Sequence, residues 1–444
     1  MAKIQAGFGR EIYSPDVPIR IRYEQYTNKI LTDVMVTCVC LSDGENMTLI
    51  FSNDFRNFLQ DFIDAVKELV STGTGVPKDH IMITCTHNHS GPDVTYFQGD
   101  DIKDWWQRIG GPATLKAARD AIADLSDCTT VKSGKSHVEN VTFVRRYFKE
   151  DNTFSSIEGS ITPAPIARHE TEADTELRAL RFVREGKKDI VITNFQVHAA
   201  TAAGVVKEYV CSDFLHKFRE TVEASGDCLA LYLQGGCGNL NTYSLVPGNT
   251  AACNTDFDRV GTLIGEGTLR ALEEGTEHAT DGPLWVRTEE YTGICNHSRD
   301  GEVEKARETM AEAGKMKFAS AFEERAFYRE HGFSSRRNAN GVITKSKLPP
   351  TQQVPLSTVC FGNVGLTFTP FEMFDSNCVQ VRECSPFDMT FTVGYTNGRH
   401  HYLPSAYAFS NQGYEPSECF YVPGTGETIS LELLRQLNKA KKEL

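Results

Sequence analysis

The sequence predicts an α/β fold in which helices flank a mixed β-sheet, and three observations support this expectation. First, short apolar runs of strand length alternate along the chain with longer segments of helical periodicity. Second, several apolar runs end in polar or glycine-rich residues, as strands do at the ligand-binding edge of an open α/β sheet. Third, the 444 residues are 40% hydrophobic and 24% charged, a composition typical of a globular protein with a large core.

The individual elements follow from these patterns. Strands are predicted at residues 34–40, 47–51, 81–85, 189–196, 228–233, 356–369 and 389–395. Helices are predicted from Asp54 to the glycines at 73 and 75, at 112–125, from about 212, at 256–274, within 301–332 and from about 429. The helix at Asp54 is indicated by apolar residues at intervals of three and four, and Pro112 suits the first turn of the next helix.

The chain shows no internal repeat and no clear linker, so we expect one domain over residues 1–444. A charged, alanine-rich helical excursion is expected at about 296–350, and its end at 334–350 resembles a surface loop. Substrate specificity is expected to depend on four loops near the site. They are residues 93–108, 150–172, 242–255 and 334–350.

Composition excludes several classes of function. The formal charge of −13 argues against nucleic acid or an anionic membrane as the main partner, because both require basic patches. No apolar stretch approaches the roughly 20 residues of a membrane span, and the N-terminal residues do not form a signal peptide. The 13 cysteines are scattered and include no CxxC pair, which favours reduced thiols in a cytoplasmic protein. A small-molecule substrate is therefore expected, and a homo-oligomer is compatible with the sequence.

Polar residues at the strand ends are candidates for metal binding. His87 and His89 follow the strand at 81–85, and His198 follows the strand at 189–196. Residues two apart on an extended chain point to the same side, so both imidazoles of the first pair can face one pocket. Two imidazoles and a carboxylate such as that of Glu372 would suit zinc, which also leaves a position open for water.

Each of these residues also has a purely structural interpretation. His198 alone could be a hydrogen-bonded core residue, and Glu372 alone could be paired with an arginine. Tyr402 and Tyr414 could be packing residues, and the glycine-rich "QGGCGNLN" at 234–241 could be only a tight turn. Spacing by itself leaves the metal site undecided.

Several short motifs, taken in order along the chain, resemble those of the neutral/alkaline ceramidases. These are "THNHSGP" at 86–92, "NFQVHAAT" at 194–201, "QGGCGNLN" at 234–241, "PFEMF" at 370–374 and "HYLPSAYAFSNQGYE" at 401–415. The resemblance extends from about residue 5 to residue 425. It implies the α/β catalytic-domain fold of that family, a bound Zn²⁺ and hydrolysis of an amide.

The resemblance also implies a role for each matching residue. Four would be zinc ligands, namely His87, His198, Glu372 and Tyr402. Three would bind or polarise the substrate carbonyl or transfer a proton, namely His89, Tyr414 and Arg145. Three in the glycine-rich turn would contact the substrate, namely Gly238, Asn239 and Asn241.

Three departures from the family pattern shape the functional expectation. Asn241 stands where the family has a serine, the chain ends soon after the last motif, without the family's C-terminal β-sandwich domain, and no export signal precedes it. We therefore expect a zinc-dependent hydrolase that cleaves an amide in a small, soluble substrate. The alternatives are hydrolysis of an ester or a sugar-acid lactone, a metal-dependent isomerase or lyase, and a non-catalytic binding protein.

Overall fold

Two β-sheets organise the fold of the computed structural model, which describes residues 3–22, 25–157, 159, 162–249 and 255–444. The strands are β1 Gln5–Ile12, β2 Ile19–Arg22, β3 Gln25–Thr27, β4 Met35–Ser42, β5 Met47–Asn53, β6 Ile81–Cys85, β7 Ser126–His137, β8 Phe143–Val144, β9 Tyr147–Lys149, β10 Phe154–Ser155, β11 Ile166–His169, β12 Glu176–Arg184, β13 Asp189–Phe195, β14 Cys228–Gln234, β15 Leu240–Asn241, β16 Thr276–His278, β17 Trp285–Ile294, β18 Thr351–Phe361, β19 Val364–Phe368, β20 Glu372–Met373, β21 Met389–Val393 and β22 Tyr402–Leu403. The helices are α1 Gln60–Thr74, α2 Asp100–Trp105, α3 Gly111–Ala123, α4 Thr201–Val205, α5 Leu215–Ala224, α6 Phe257–Glu273, α7 Asp300–Ala313, α8 Ala321–Glu330, α9 Arg336–Lys345, α10 Asp375–Glu383, α11 Ala406–Asn411, α12 Tyr414–Glu418 and α13 Thr425–Glu443.

Both sheets are mixed, whereas the sequence predicted a single mixed sheet. The larger has the order β14-β13-β12-β7-β1-β4-β5-β6, with β16 added beside β7, and the smaller has the order β17-β18-β19-β21. Strands β5 and β6 run parallel, as do β13 and β14 in the large sheet and β19 and β21 in the small one. The predicted α/β fold class is therefore confirmed. Parallel neighbours place their carboxyl ends at the same edge of a sheet, which is where the candidate residues lie.

The two sheets pack face to face, and the alternation of side chains along β4 shows how. Val36 and Cys38 belong to a core cluster shared with helices α1 and α3, whereas Val39 and Leu41 belong to a cluster shared with the small sheet. Since successive residues of a strand point to opposite faces, a strand buried on both faces must be apolar at nearly every position. The sequence "MVTCVCLS" of β4 meets that requirement.

Helices cover both outer faces. Helix α5 packs on β14, and α6 packs beside it on β12 and β7 of the large sheet, whereas α10 and α13 pack on the small sheet. The result is a four-layer arrangement of helices, sheet, sheet and helices. Within the described part of the chain, no helix combines the length and the apolar character needed to cross a membrane.

Three predicted elements differ from the structure, and one of them is the strand at 356–369, which forms the antiparallel pair β18 and β19. Helix α1 begins at Gln60 rather than at Asp54, whose carboxylate accepts hydrogen bonds from both Nη atoms of Arg219, at 2.7 and 2.9 Å, and does not cap the helix. The segment 334–350 is not a loop but contains α9, which begins where the Ser335 hydroxyl accepts a hydrogen bond from the Asn338 backbone N–H at 3.1 Å. That serine is an ordinary N-cap signal.

Long-range hydrogen bonds bring distant strand ends to one place. The Ser52 hydroxyl on β5 donates to the Tyr232 carbonyl on β14 at 2.6 Å, so the two ends of the large sheet approach each other. The loop after β21 closes the gap, because the Gly394 N–H donates to the Gln234 carbonyl at 3.0 Å and the Asn397 N–H donates to the Ile83 carbonyl at 2.9 Å. The exits of β6, β13, β14 and β21 therefore border a common space.

Candidate metal centre

Three imidazoles meet at the exits of β6 and β13. The Nε2 atom of His89 lies 3.0 Å from Nε2 of His87 and 3.2 Å from Nε2 of His198. The rings of His87 and His89 face one pocket, as expected from the sequence. The assumption that an extended chain places them there is wrong. His87 has a left-handed backbone with φ of 58°, so a turn after β6, and not an extended chain, brings the rings together.

Backbone carbonyls fix the orientation of two of these rings. The Nδ1 atom of His87 lies 2.7 Å from the Arg56 carbonyl, and Nδ1 of His198 lies 3.2 Å from the Cys237 carbonyl. A carbonyl only accepts, so each Nδ1 carries the proton and each Nε2 presents a lone pair. The Arg145 guanidinium is 3.4 Å from the same Nδ1 of His198, but it can only donate, and we assign the proton by the shorter contact. An imidazole held in this way is typical of a metal ligand.

The pKa values of both of these histidines are lowered, which favours their neutral form. Burial, followed by the nearby imidazoles of His198 and His89, lowers the pKa of His87 well below its usual 6.5. Burial and then the positive charge of Arg145 lower the pKa of His198 to about 3, although the hydrogen bond to Cys237 opposes this shift. A neutral imidazole is the form that coordinates a metal ion.

Glu372 and Tyr402 lie side by side because of strand register. They are Cα partners in the short parallel ladder of β20 and β22. The Oε1 atom of Glu372 lies 3.5 Å from Nε2 of His87, and this buried oxygen has no hydrogen-bond partner. Burial raises the pKa of Glu372 to about 7. The charge of Arg145 and the hydrogen bonds from Tyr402 and Tyr395 act in the opposite direction and lower this pKa.

One separation between these donors can be compared with that expected at a tetrahedral metal site. Ligand atoms about 2.1 Å from zinc, at tetrahedral angles, lie about 3.4 Å apart. The separation of 3.5 Å between His87 Nε2 and Glu372 Oε1 matches that value. An unpaired buried carboxylate oxygen is costly unless a cation completes it. A thiol also belongs to the cluster, since His87, His198 and Cys237 offer ligand atoms within 4.8 Å of one another and could hold a metal ion.

Arg145 is buried behind this cluster and holds its parts together. Its Nη2 donates to the Tyr402 hydroxyl at 3.1 Å and to the Gly238 carbonyl at 2.7 Å. Its Nε donates to Glu415 at 2.9 Å, and its Nη2 lies 4.0 Å from Glu372. Its Nε and Nη2 N–H groups are therefore engaged by the protein, and direct contact with a substrate stays a prediction.

The glycine-rich turn packs against the strand that carries Glu372. A Cβ at Gly238 would lie 2.6 Å from the Glu372 carbonyl oxygen, so only glycine fits there. The side-chain amide of Asn239 forms two hydrogen bonds with Asp375. Its Nδ2 donates to the Asp375 carboxylate at 2.8 Å, and its Oδ1 accepts from the Asp375 backbone N–H at 3.1 Å. Asn241 is buried in the ladder between β15 and β8. The substrate contacts expected of these three residues stay predictions, because the structure shows only their protein partners.

Sequence reasoning overlooked two residues that support the centre. Tyr395 stacks on His87 with a centroid distance of 4.2 Å, and it has a left-handed backbone with φ of 47°. Such strain in an aromatic residue is rare and accumulates at functional sites. Glu415 bridges Arg145 and Arg146, accepting one hydrogen bond of 2.9 Å from each. The signal for Glu415 was the Tyr-Glu pair in the last motif, whereas nothing in the sequence marks Tyr395.

A cavity of about 230 Å³ opens onto the metal centre. Its described lining residues are Arg56, Asn57, His87, His89, Arg337, Pro370, Glu372, Tyr395, Arg399, His401, Tyr402, Tyr414 and Glu418. His89 and Tyr414 are half-buried and face it, unlike the fully buried His87. Of the four predicted specificity loops, 334–350 contributes Arg337 to this lining, whereas residues 158, 160–161 and 250–254 of two others lie outside the described residues.

Comparison with known proteins identifies structures that share this fold. Protein-family models and curated proteins give no match. Among solved structures, the neutral ceramidase from Pseudomonas aeruginosa is similar with a TM-score of 0.72 at 15% identity, over 100% of this chain and 75% of that chain. A ceramidase complexed with C2 is similar with a TM-score of 0.71 at 15% identity, over 100% of this chain and 76% of that chain. The chain therefore has the neutral ceramidase fold, as its motifs predicted.

Proposed function

We propose that the protein is a zinc-dependent hydrolase, a divergent member of the neutral ceramidase family, that cleaves an amide bond in a small soluble molecule. One observation carries this proposal. The Nε2 lone pairs of His87 and His198 converge with His89 beside the Glu372 oxygen that lacks a hydrogen-bond partner. Together with Tyr402, the neutral imidazoles and one carboxylate make a donor set that suits Zn²⁺.

Within that site, zinc would supply hydroxide at neutral pH and would polarise a carbonyl oxygen. His87, His198, Glu372 and Tyr402 would hold the ion. Arg145 would position Tyr402 through the 3.1 Å hydrogen bond and would favour its deprotonated oxygen by charge.

His89 and Tyr414 are the groups placed to act on the substrate. Both face the cavity, and the Tyr414 ring lies 5.2 Å from that of Tyr402. The Tyr414 hydroxyl would donate a hydrogen bond to the developing oxyanion, a contribution worth roughly 3–4 kcal/mol in comparable sites. His89 Nε2 would move a proton to the leaving nitrogen. Asn241 has no nucleophilic atom, so no step passes through it.

The size of the cavity favours a small substrate. Its volume of about 230 Å³ lies below the roughly 300–1,000 Å³ of pockets that enclose drug-sized ligands. We also propose a cytoplasmic location, because all twelve described cysteines are free thiols and eleven of them are buried.

The test combines metal analysis with isotope labelling. Purified protein is expected to contain about one zinc per chain and to hydrolyse members of a panel of amides, esters and lactones in H₂¹⁸O. Hydrolysis incorporates solvent oxygen into the acid product, whereas an isomerase or lyase does not. The proposal fails if the protein binds no zinc, or if turnover proceeds without ¹⁸O incorporation. If the protein prefers esters or lactones over amides, the proposed substrate class changes, but the proposal of a zinc-dependent hydrolase is retained.

A further inference from the structure

Three arginines line the cavity at the metal centre, although the chain as a whole carries a formal charge of −13. They are Arg56 after β5, Arg337 on α9 and Arg399 after β21. The carboxylates in the same lining are Glu372 and Glu418. Glu372 is the proposed metal ligand, Glu418 lies beside Arg337, and Asp93, outside this lining, pairs with Arg56. Among the described residues, Arg399 is therefore the guanidinium of the lining that has no carboxylate partner.

The three guanidinium groups differ in their contacts with the rest of the protein. Arg399 is exposed and forms no hydrogen bond or ion pair with the described residues. Arg337 lies 4.8 Å from the Tyr414 ring, with its Nη1 3.3 Å from Glu418. Arg56 reaches Asp93 at 3.4 Å, while its Nε is buried without a hydrogen-bond partner.

This excess of positive charge has a chemical consequence. A cleft lined by one sign of charge concentrates ligands of the opposite sign, and bound zinc would add to the same field. A guanidinium presents parallel N–H donors that match the two oxygens of a carboxylate. A neutral lipid amide would offer no anion to the Arg399 guanidinium in a cavity of about 230 Å³.

We infer that the substrate of this site carries a carboxylate near the bond that is cleaved, and that Arg399 binds it, with Arg337 as the second cation. The substrate class is then an N-acylated amino acid or a closely related amide acid. This inference rests on the proposed amide hydrolysis for the bond, but the anion preference can be measured without any turnover.

The experiment uses binding to the zinc-loaded protein, measured by calorimetry. The probes are a series of N-acylglycines and the matching N-acylglycinamides, which differ only in charge. We expect each N-acylglycine to bind at least tenfold more tightly than its neutral amide, and Arg399→Gln to remove about tenfold of this preference, as expected for one partly solvated charge-assisted hydrogen bond. Arg435→Gln is the matched control, because Arg435 is an exposed arginine on α13 paired with Glu432.

The outcomes separate the two proposals. Equal binding of acid and amide, no binding of either series, or a preference that survives both Arg399→Gln and Arg337→Gln overturns the inference, since in the last case the metal alone selects the anion. Hydrolysis of neutral amides without any anion preference leaves the proposed function intact. An arginine-dependent anion preference without hydrolysis supports the inference and contradicts the proposed function.

Discussion

Glu415→Gln is expected to destabilise the protein far more than the same substitution three residues later. Glu415 lies on α12 behind the metal centre, where Arg145 Nε and Arg146 Nη1 each donate to it at 2.9 Å. The side chains of all three residues are at most 3% exposed. Glutamine keeps the shape of the side chain but removes its charge. Its amide also offers one oxygen and one NH₂, so one arginine loses its acceptor and faces a donor.

The magnitude follows from burial. Removing one partner of a buried ion pair costs about 3–5 kcal/mol, because a desolvated charge is left uncompensated. Arg146 retains Glu170, with a second hydrogen bond of 3.0 Å, so the cost falls mainly on Arg145. The nearest other carboxylate to Arg145 is that of Glu372, at 4.0 Å. We therefore expect a loss of about 3 kcal/mol or more in the free energy of unfolding, with weaker zinc binding as a second consequence.

Glu418→Gln provides the matched control. Glu418 is on the same helix and lies 3.3 Å from Arg337, but these side chains are 24% and 53% exposed. Exposed pairs are worth about 0–1 kcal/mol, so little change is expected. Urea unfolding followed by both fluorescence and circular dichroism measures the two variants, and coincident transitions validate the free energies. If the two variants differ by less than about 1 kcal/mol, the buried network does not stabilise the protein as argued.

Three further expectations concern the metal centre. His87→Ala and His198→Ala each lose bound zinc by elemental analysis, whereas His89→Ala keeps it and loses turnover; full occupancy in the His87 variant would show that this ligand is wrongly assigned. Burial raises the pKa of Glu372 from 4.5 to about 7, so the folded state retains the proton longer than the unfolded state does, and the metal-free protein loses about 3 kcal/mol of stability as the pH rises through this interval. A pH series of unfolding measures this loss, which Glu372→Gln removes; an unchanged loss in that variant would refute the assignment. Gly238→Ala forces a Cβ to within 2.6 Å of the Glu372 carbonyl and should lower zinc affinity at least tenfold in a chelator competition, and unaltered affinity would mean that the backbone yields there.

The elements predicted most accurately from sequence were those that local pattern dictates. The strands β4, β5, β13 and β14 lie within a few residues of their predicted positions, because apolar runs of this short length, bounded by turn residues, are typical of buried strands. Strand β7 was not predicted, since "SDCTTVKSGKSH" has too few apolar residues to resemble a central strand. Its place in the sheet is set by its neighbours β1 and β12 rather than by its own sequence.

Strand periodicity and short motifs are local properties, so the fold class and the candidate metal-binding side chains could be predicted from the sequence alone. How those side chains meet could not be predicted in the same way. The turn at His87, the pairing of β20 with β22, the stacking of Tyr395 and the bridge at Glu415 all depend on contacts between residues far apart in the chain. The arginines of the cavity likewise come from three separate segments, 56, 337 and 399. Charge in a cavity is a sum over such segments, and no local pattern of the sequence records it.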